Sequence, residues 1–125
     1  MSNPHKGRQG VDRLLHATQH SIDGLGVAYR EESAFRQEFW LVVLLAPLAL
    51  WLGTSWIERS LLLGALALVL IVELLNSGIE AAIDRVSFEQ HELSKRAKDL
   101  ASAAVMLSLL LCGGIWCSAL WARLA

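Results

Sequence analysis

This sequence has almost no excess of charge of either sign: 12 Asp and Glu stand against 11 Lys and Arg, a formal net charge of −1 over 125 residues. A chain so balanced projects no global basic field, which argues against a nucleic-acid partner. Cysteine is scarce too. Cys112 and Cys117 lie on different faces of one apolar stretch and match no metal or redox spacing, so they read as packing residues. The nucleotide and zinc signatures of soluble enzymes are missing. No G-x-x-x-x-G-K-[ST] occurs, Gly24-Leu25-Gly26 runs into Val27-Ala28-Tyr29 without a third glycine, and His91-Glu92 is followed by Leu93-Ser94-Lys95. There is no internal repeat, and residues 1–38 lack the long apolar core of a signal peptide, so they are expected to stay in the mature protein.

Charge is also absent locally, and there the absence is informative. Residues 39–57 and 100–122 contain no Asp, Glu, Lys or Arg, and 60–72 contain none up to Glu73. Uncharged apolar runs of roughly 18 or more are the mark of a membrane span. Hydrophobic residues make up 54% of the chain even before its nine glycines are counted, too many for an ordinary soluble domain. The expectation is a single all-α integral-membrane domain over residues 1–125, with spans at about 39–56, 61–83 and 100–121. Pro47 lies inside the first span, where a mild kink is expected, and Gly113-Gly114 in the third could let a neighbouring helix come close. The second run is short, and it crosses only if its helix continues through Glu73, Asn76 and Glu80 to about Asp84.

Basic residues set the orientation. Lys6, Arg8, Arg13, Arg30 and Arg36 precede the first span, and Arg85, Lys95, Arg96 and Lys98 lie between the second and third, leaving only Arg59 and Arg123 at the other ends. The N-terminus and second loop are therefore expected in the cytoplasm and the C-terminus outside. Trp51, Trp56, Trp116 and Trp121 gather toward the outer ends as an interfacial belt, with Trp40 at the cytoplasmic entrance. Ahead of the spans, Val11, Leu14, Leu15, Thr18, Ile22, Leu25 and Tyr29 step by three or four residues along one helical face. That spacing predicts an amphipathic helix at about 11–29, lying on the membrane surface.

The second span carries the chemistry. At 100° per residue Glu73, Asn76, Ser77, Glu80 and Asp84 share one face, and Glu73 falls about 18 Å along the helix from Leu61, inside the bilayer. A carboxylate at that depth costs on the order of 2.5–3.5 kcal/mol and must face protein, water or a ligand rather than lipid. Three helices offer little room to bury such a stripe, which implies self-association. Glu31 and Glu32 ahead of the first span, and Lys98 and Asp99 at the start of the third, bring more ionisable groups to the same membrane level. A carboxylate in low dielectric is a stronger base than one in water, carboxylates nearer water can hold magnesium, and a lysine can balance phosphate charge. These are the parts of a phosphoryl-transfer site, and equally the lining of a cation or proton pathway; residue chemistry alone leaves both open.

Three motifs decide between them by resemblance. E-L-L-N-S-G-I-E-A-A-I-D-R from Glu73 to Arg85, H-E-L-S-K-R-A-K-D-L-A-S-A-A-V from His91 to Val105, and E-S-A-F-R-Q-E from Glu32 to Glu38 closely resemble the prokaryotic diacylglycerol kinase family. The resemblance runs from about Arg13 to Trp121. It implies a homotrimeric enzyme of the bacterial inner membrane, with three transmembrane helices and an N-terminal surface helix per subunit, that transfers the γ-phosphate of magnesium-ATP to diacylglycerol and yields phosphatidic acid. On this basis Glu73 resembles the catalytic base, with Asn76 beside it, and Glu32 and Glu80 match metal-binding carboxylates that also meet ATP. Arg13, Glu89, Gln90, His91, Lys98 and Asp99 fall at ATP-contacting positions. Arg13, Ser21, Gly24, Leu25, Ala34, Phe35, Arg36, Gln37, Glu38, Glu73 and Ser102 fall where the family holds its lipid, and the family's sites are shared between subunits. The chain departs from the family pattern at His20, Ile22 and Gln90. Undecaprenol kinase activity, the same chemistry on a polyprenol, is the neighbouring alternative, although Asp84 to Asp99 looks more like the diacylglycerol branch.

Overall fold

A computed structural model describes residues 9–86 and 91–125. Glu89 and Gln90, two of the positions assigned to ATP, lie outside the described residues. The described chain is four α-helices with no strand among them: α1 Gly10–Glu31, α2 Ser33–Leu52, α3 Trp56–Val86 and α4 Glu92–Leu124. The last three are each long and apolar enough to cross a membrane. The all-α architecture of three candidate spans and a leading amphipathic helix is thus as the sequence implies.

One residue separates α1 from α2. Glu32 is extended (φ −112°, ψ 105°), yet its N–H still reaches the Ala28 carbonyl at 2.9 Å and its own carbonyl accepts from Arg36 N–H at 3.1 Å. The corner therefore loses little backbone hydrogen bonding. α2 starts at Ser33, ahead of the charge-free run, because Arg36, Gln37 and Glu38 are good helix formers. It runs on through Pro47 and stops at Leu52, short of Trp56, which instead opens α3.

Three uncharged residues make the turn between them. Gly53 N–H caps the Ala49 carbonyl at 3.0 Å, Ser55 Oγ accepts from Glu58 N–H at 3.1 Å, and Thr54 Oγ1 donates to Glu58 Oε2 at 2.7 Å. Arg59 Nε donates to the Leu50 carbonyl at 3.0 Å, satisfying one of the last acceptors of α2. Gly53 is required by this approach: a β-carbon there would fall 3.0 Å from the Arg59 amide nitrogen and against its side chain.

α3 is the central element, packing extensively on α4 and also on α2. It passes Glu73, Asn76 and Glu80 without a break, as the crossing requires. The core lies toward the α2–α3 turn, where Ala49, Leu52, Leu62, Leu66, Trp116 and Ala119 are buried together. Trp116 Nε1 donates to the Leu62 carbonyl at 3.3 Å, tying α4 to α3 inside that core. Small residues at Ala49 and Ala119 let the helices approach, as in other membrane bundles. Cys112 is half-buried and packs against the same cluster, while Cys117 is exposed, and both are free thiols. Much apolar surface stays outward. Leu44, Leu75, Leu107 and Leu110 are all more than 60% exposed. So are Val11, Leu14 and Leu15 on α1, which leaves the apolar face of the leading helix uncovered by its own chain.

Candidate active site

Glu73 is buried, with 6% of its surface exposed. Its side chain meets that of Glu38 from α2, close enough for the two carboxyls to share a hydrogen bond, and it lies within electrostatic range of Glu80 and Glu32. Carboxylates from the α1–α2 corner, α2 and α3 thus lie within electrostatic range of Glu73. Two buried oxygens there, Glu38 Oε2 and Asn76 Oδ1, have no hydrogen-bond partner. The lysine ion pairs among the described residues go elsewhere: Lys98 Nζ to Asp84 Oδ1 at 3.0 Å, and Lys95 Nζ to Asp99 Oδ2 at 2.6 Å. Arg36 donates to the Tyr29 carbonyl at 2.8 Å. A bound cation would offset the repulsion among like-charged carboxyls.

The geometry groups some predicted residues and separates others. Glu38 meets Glu73, Glu32 and Glu80 lie within electrostatic range of it, Asn76 follows Glu73 one turn on along α3, and Asp84 continues the same face one turn beyond Glu80, where it holds Lys98. His91 caps α4, its Nδ1 accepting from Leu93 N–H at 3.1 Å. Arg13 is exposed near the start of α1, about 28 Å along the helix axis from Glu32. Ser21, Gly24, Ala34, Gln37 and Ser102 are exposed; the Ser21 hydroxyl bonds back to the Ala17 carbonyl at 2.9 Å. Phe35 is buried.

Leu25 and Phe35 line an apolar cleft of about 660 Å³ between α1, α2 and α3. Its walls also include Gly26, Tyr29, Phe39, Trp40, Leu70 and Leu74. Leu74 and Phe39 are the sequence neighbours of Glu73 and Glu38, so the cleft lies at the level of these carboxylates along α3 and α2, and neither carboxylate is among its lining residues. Motif reading placed Glu38 only among lipid-holding positions; its pairing with Glu73 depends on how α2 docks against α3, which spacing along one helix does not reveal. Tyr29 and Trp40 were legible only as an end of an amphipathic face and as a belt residue.

The sequence profile of the family described as prokaryotic diacylglycerol kinase matches residues 19–120. The chain belongs to that family. A protein named diacylglycerol kinase from Pseudomonas aeruginosa is 48% identical over 118 residues, covering 94% of this chain and 96% of its own length. One of the same name from Escherichia coli K12 is 46% identical over 114 residues, 91% and 93% of the two chains. Another from Haemophilus influenzae is 43% identical over 107 residues, 86% and 91%. The matched region runs from mid-α1 to near the end of α4.

Proposed function

We propose that this chain is a membrane-embedded diacylglycerol kinase that moves the γ-phosphoryl group of ATP directly onto the hydroxyl of diacylglycerol, giving phosphatidic acid and ADP at the cytoplasmic face of the inner membrane. Membership of the family and the name its relatives carry support the activity. The observation that carries the mechanism is the burial of Glu73 against Glu38 on a helix apolar enough to cross a membrane.

In this reading the lipid enters sideways from the bilayer with its hydroxyl at Glu73. Glu73 takes the hydroxyl proton as the oxygen–phosphorus bond forms and the bond from the γ-phosphorus to the bridging oxygen of ADP breaks. Glu38 holds the base in place, Asn76 positions the acceptor hydroxyl, and Lys98, held by Asp84 one turn past Glu80, offsets phosphate charge. Magnesium fits the donors at this site. They are hard oxygens, two of them buried and unpartnered, in an excess of negative charge. Glu32 and Glu80 would hold the ion. When bound, it would neutralise triphosphate charge.

Arg13 stands too far along α1 to meet Glu32 of the same subunit, and broad apolar faces remain outward. Both support association with further copies that complete each site, and the family resemblance makes that assembly a homotrimer. The basic residues flanking α2 and the α3–α4 connection support a cytoplasmic N-terminus and an external C-terminus.

Purified protein in vesicles, given labelled ATP with diacylglycerol, undecaprenol and other lipid alcohols, tests the reading. Magnesium-dependent labelling of diacylglycerol without ion flux is the expected result. Labelling of the polyprenol in its place, or ion flux without labelling, would overturn it.

A further inference from the structure

Tyr29 and Trp40 meet across the corner between α1 and α2. Trp40 Nε1 donates to the Tyr29 hydroxyl at 3.0 Å, linking residues eleven apart on two helices. Tyr29 is held from other sides as well. Its ring packs edge-on against Phe39 at 5.8 Å, Phe39 packs edge-on against Trp40 at 5.5 Å, and Arg36 fixes the Tyr29 carbonyl at 2.8 Å with its guanidinium 6.0 Å from the ring. All three aromatic residues line the 660 Å³ cleft, at the level of Glu38 and Glu73 along α2 and α3. α1 otherwise touches the bundle lightly, packing little on α3. The position of its end, and with it one wall of the cleft, therefore depends on this set of contacts.

We propose that the Tyr29–Trp40 hydrogen bond is a strap that preorganises the cleft between α1, α2 and α3 for an acyl chain of the lipid alcohol, making these two residues determinants of lipid affinity. This rests on the lipid-kinase reading above. The occupant is an acyl chain because the other named wall residues offer hydrocarbon and one glycine, the Trp40 N–H is engaged by the Tyr29 oxygen, and the cleft lies at the level of the carboxylates that would receive the hydroxyl. A wall held in its bound position spares the lipid the cost of ordering it. Losing the strap therefore weakens lipid capture and leaves the nucleotide alone.

Tyr29→Phe removes the hydroxyl and keeps the ring. Trp40→Phe removes the N–H and keeps an aromatic against Phe39. With the full-length protein in vesicles, each is expected to raise the apparent KM for dioleoylglycerol roughly three- to tenfold, the range one such hydrogen bond carries, with the KM for magnesium-ATP unchanged within about twofold. The double variant should be no worse than the weaker single one, since both remove the same bond. Unchanged lipid KM values, a parallel rise in the ATP KM, or effects that multiply in the double variant would overturn the strap. Quenching of tryptophan fluorescence by brominated diacylglycerol reads lipid capture without turnover. Tyr29→Phe should shift the curve to higher lipid fraction, and an unmoved curve overturns the inference. A shifted curve in a protein that phosphorylates no lipid would overturn the kinase reading while leaving the strap standing.

Discussion

Lys98 and Asp84 meet across the α3–α4 connection, Nζ to Oδ1 at 3.0 Å, so the ammonium that would face phosphate is held one helix turn beyond Glu80. Both side chains are about half exposed, 43% and 50%, so the pair is a minor source of stability, on the order of 1 kcal/mol at most. Its value is placement. Asp84→Asn should leave thermal stability nearly unchanged yet raise the KM for magnesium-ATP several-fold with the lipid KM constant. Lys98→Ala should lower kcat as well. Steady-state kinetics with each substrate varied in turn separates these outcomes, and an Asp84→Asn protein with unchanged ATP KM would show that Lys98 needs no such holder.

Glu73→Gln keeps shape and polarity but cannot accept a proton. Turnover should fall by about two to four orders of magnitude, the range of a lost general base, while ATP binding and the oligomer persist. Glu38→Gln makes a useful contrast, because Glu38 touches Glu73 rather than the reacting hydroxyl in the proposed arrangement. Its loss should be smaller. Single-turnover rates with labelled ATP, compared at saturating lipid, decide the order; equal losses would assign the base role to the pair.

How much of this was legible beforehand depends on whether a feature lives within one helix or between helices. The continuation of α3 through Glu73 to about Asp84 could be expected, because helix formers run unbroken and a crossing chain must satisfy its backbone internally. The end of α2 could not be read from charge. Gly53, Thr54 and Ser55 are uncharged, so the turn hides inside a run that looks continuous to Ile57. In the site, Glu73, Asn76 and Glu80 share a face by periodicity alone. The Glu38 contact and the Tyr29–Trp40 bond arise from the sharp corner at Glu32 and from how α2 docks on α3, and neither leaves a trace in hydropathy.

Glu80→Gln tests the metal assignment apart from the base. Where magnesium is held through only one or two protein carboxylates, losing one leaves no spare ligand. The magnesium concentration for half-maximal activity should rise by roughly tenfold or more. Glu73→Gln at its residual rate should keep the wild-type magnesium dependence. Titrating magnesium at fixed ATP gives both curves, and an unchanged midpoint in Glu80→Gln would remove Glu80 from the metal site.

Gly53 gives a prediction about the fold rather than the chemistry. An alanine there would set its β-carbon against Arg59, whose backbone nitrogen lies 3.0 Å away and cannot withdraw without disturbing the start of α3. Arg59 is also engaged with the Leu50 carbonyl and lies over Trp56 at 4.8 Å, so its side chain has little freedom to yield. Forcing extra volume into such a contact costs about 1–3 kcal/mol. Gly53→Ala should therefore lower the unfolding midpoint of the detergent-solubilised protein by several degrees. Gly64→Ala, in mid-α3 with nothing near its would-be β-carbon, should raise or preserve it, since alanine is the better helix former. Equal behaviour of the two variants in thermal unfolding would mean that the α2–α3 turn relaxes freely and that its close approach does not define the hairpin.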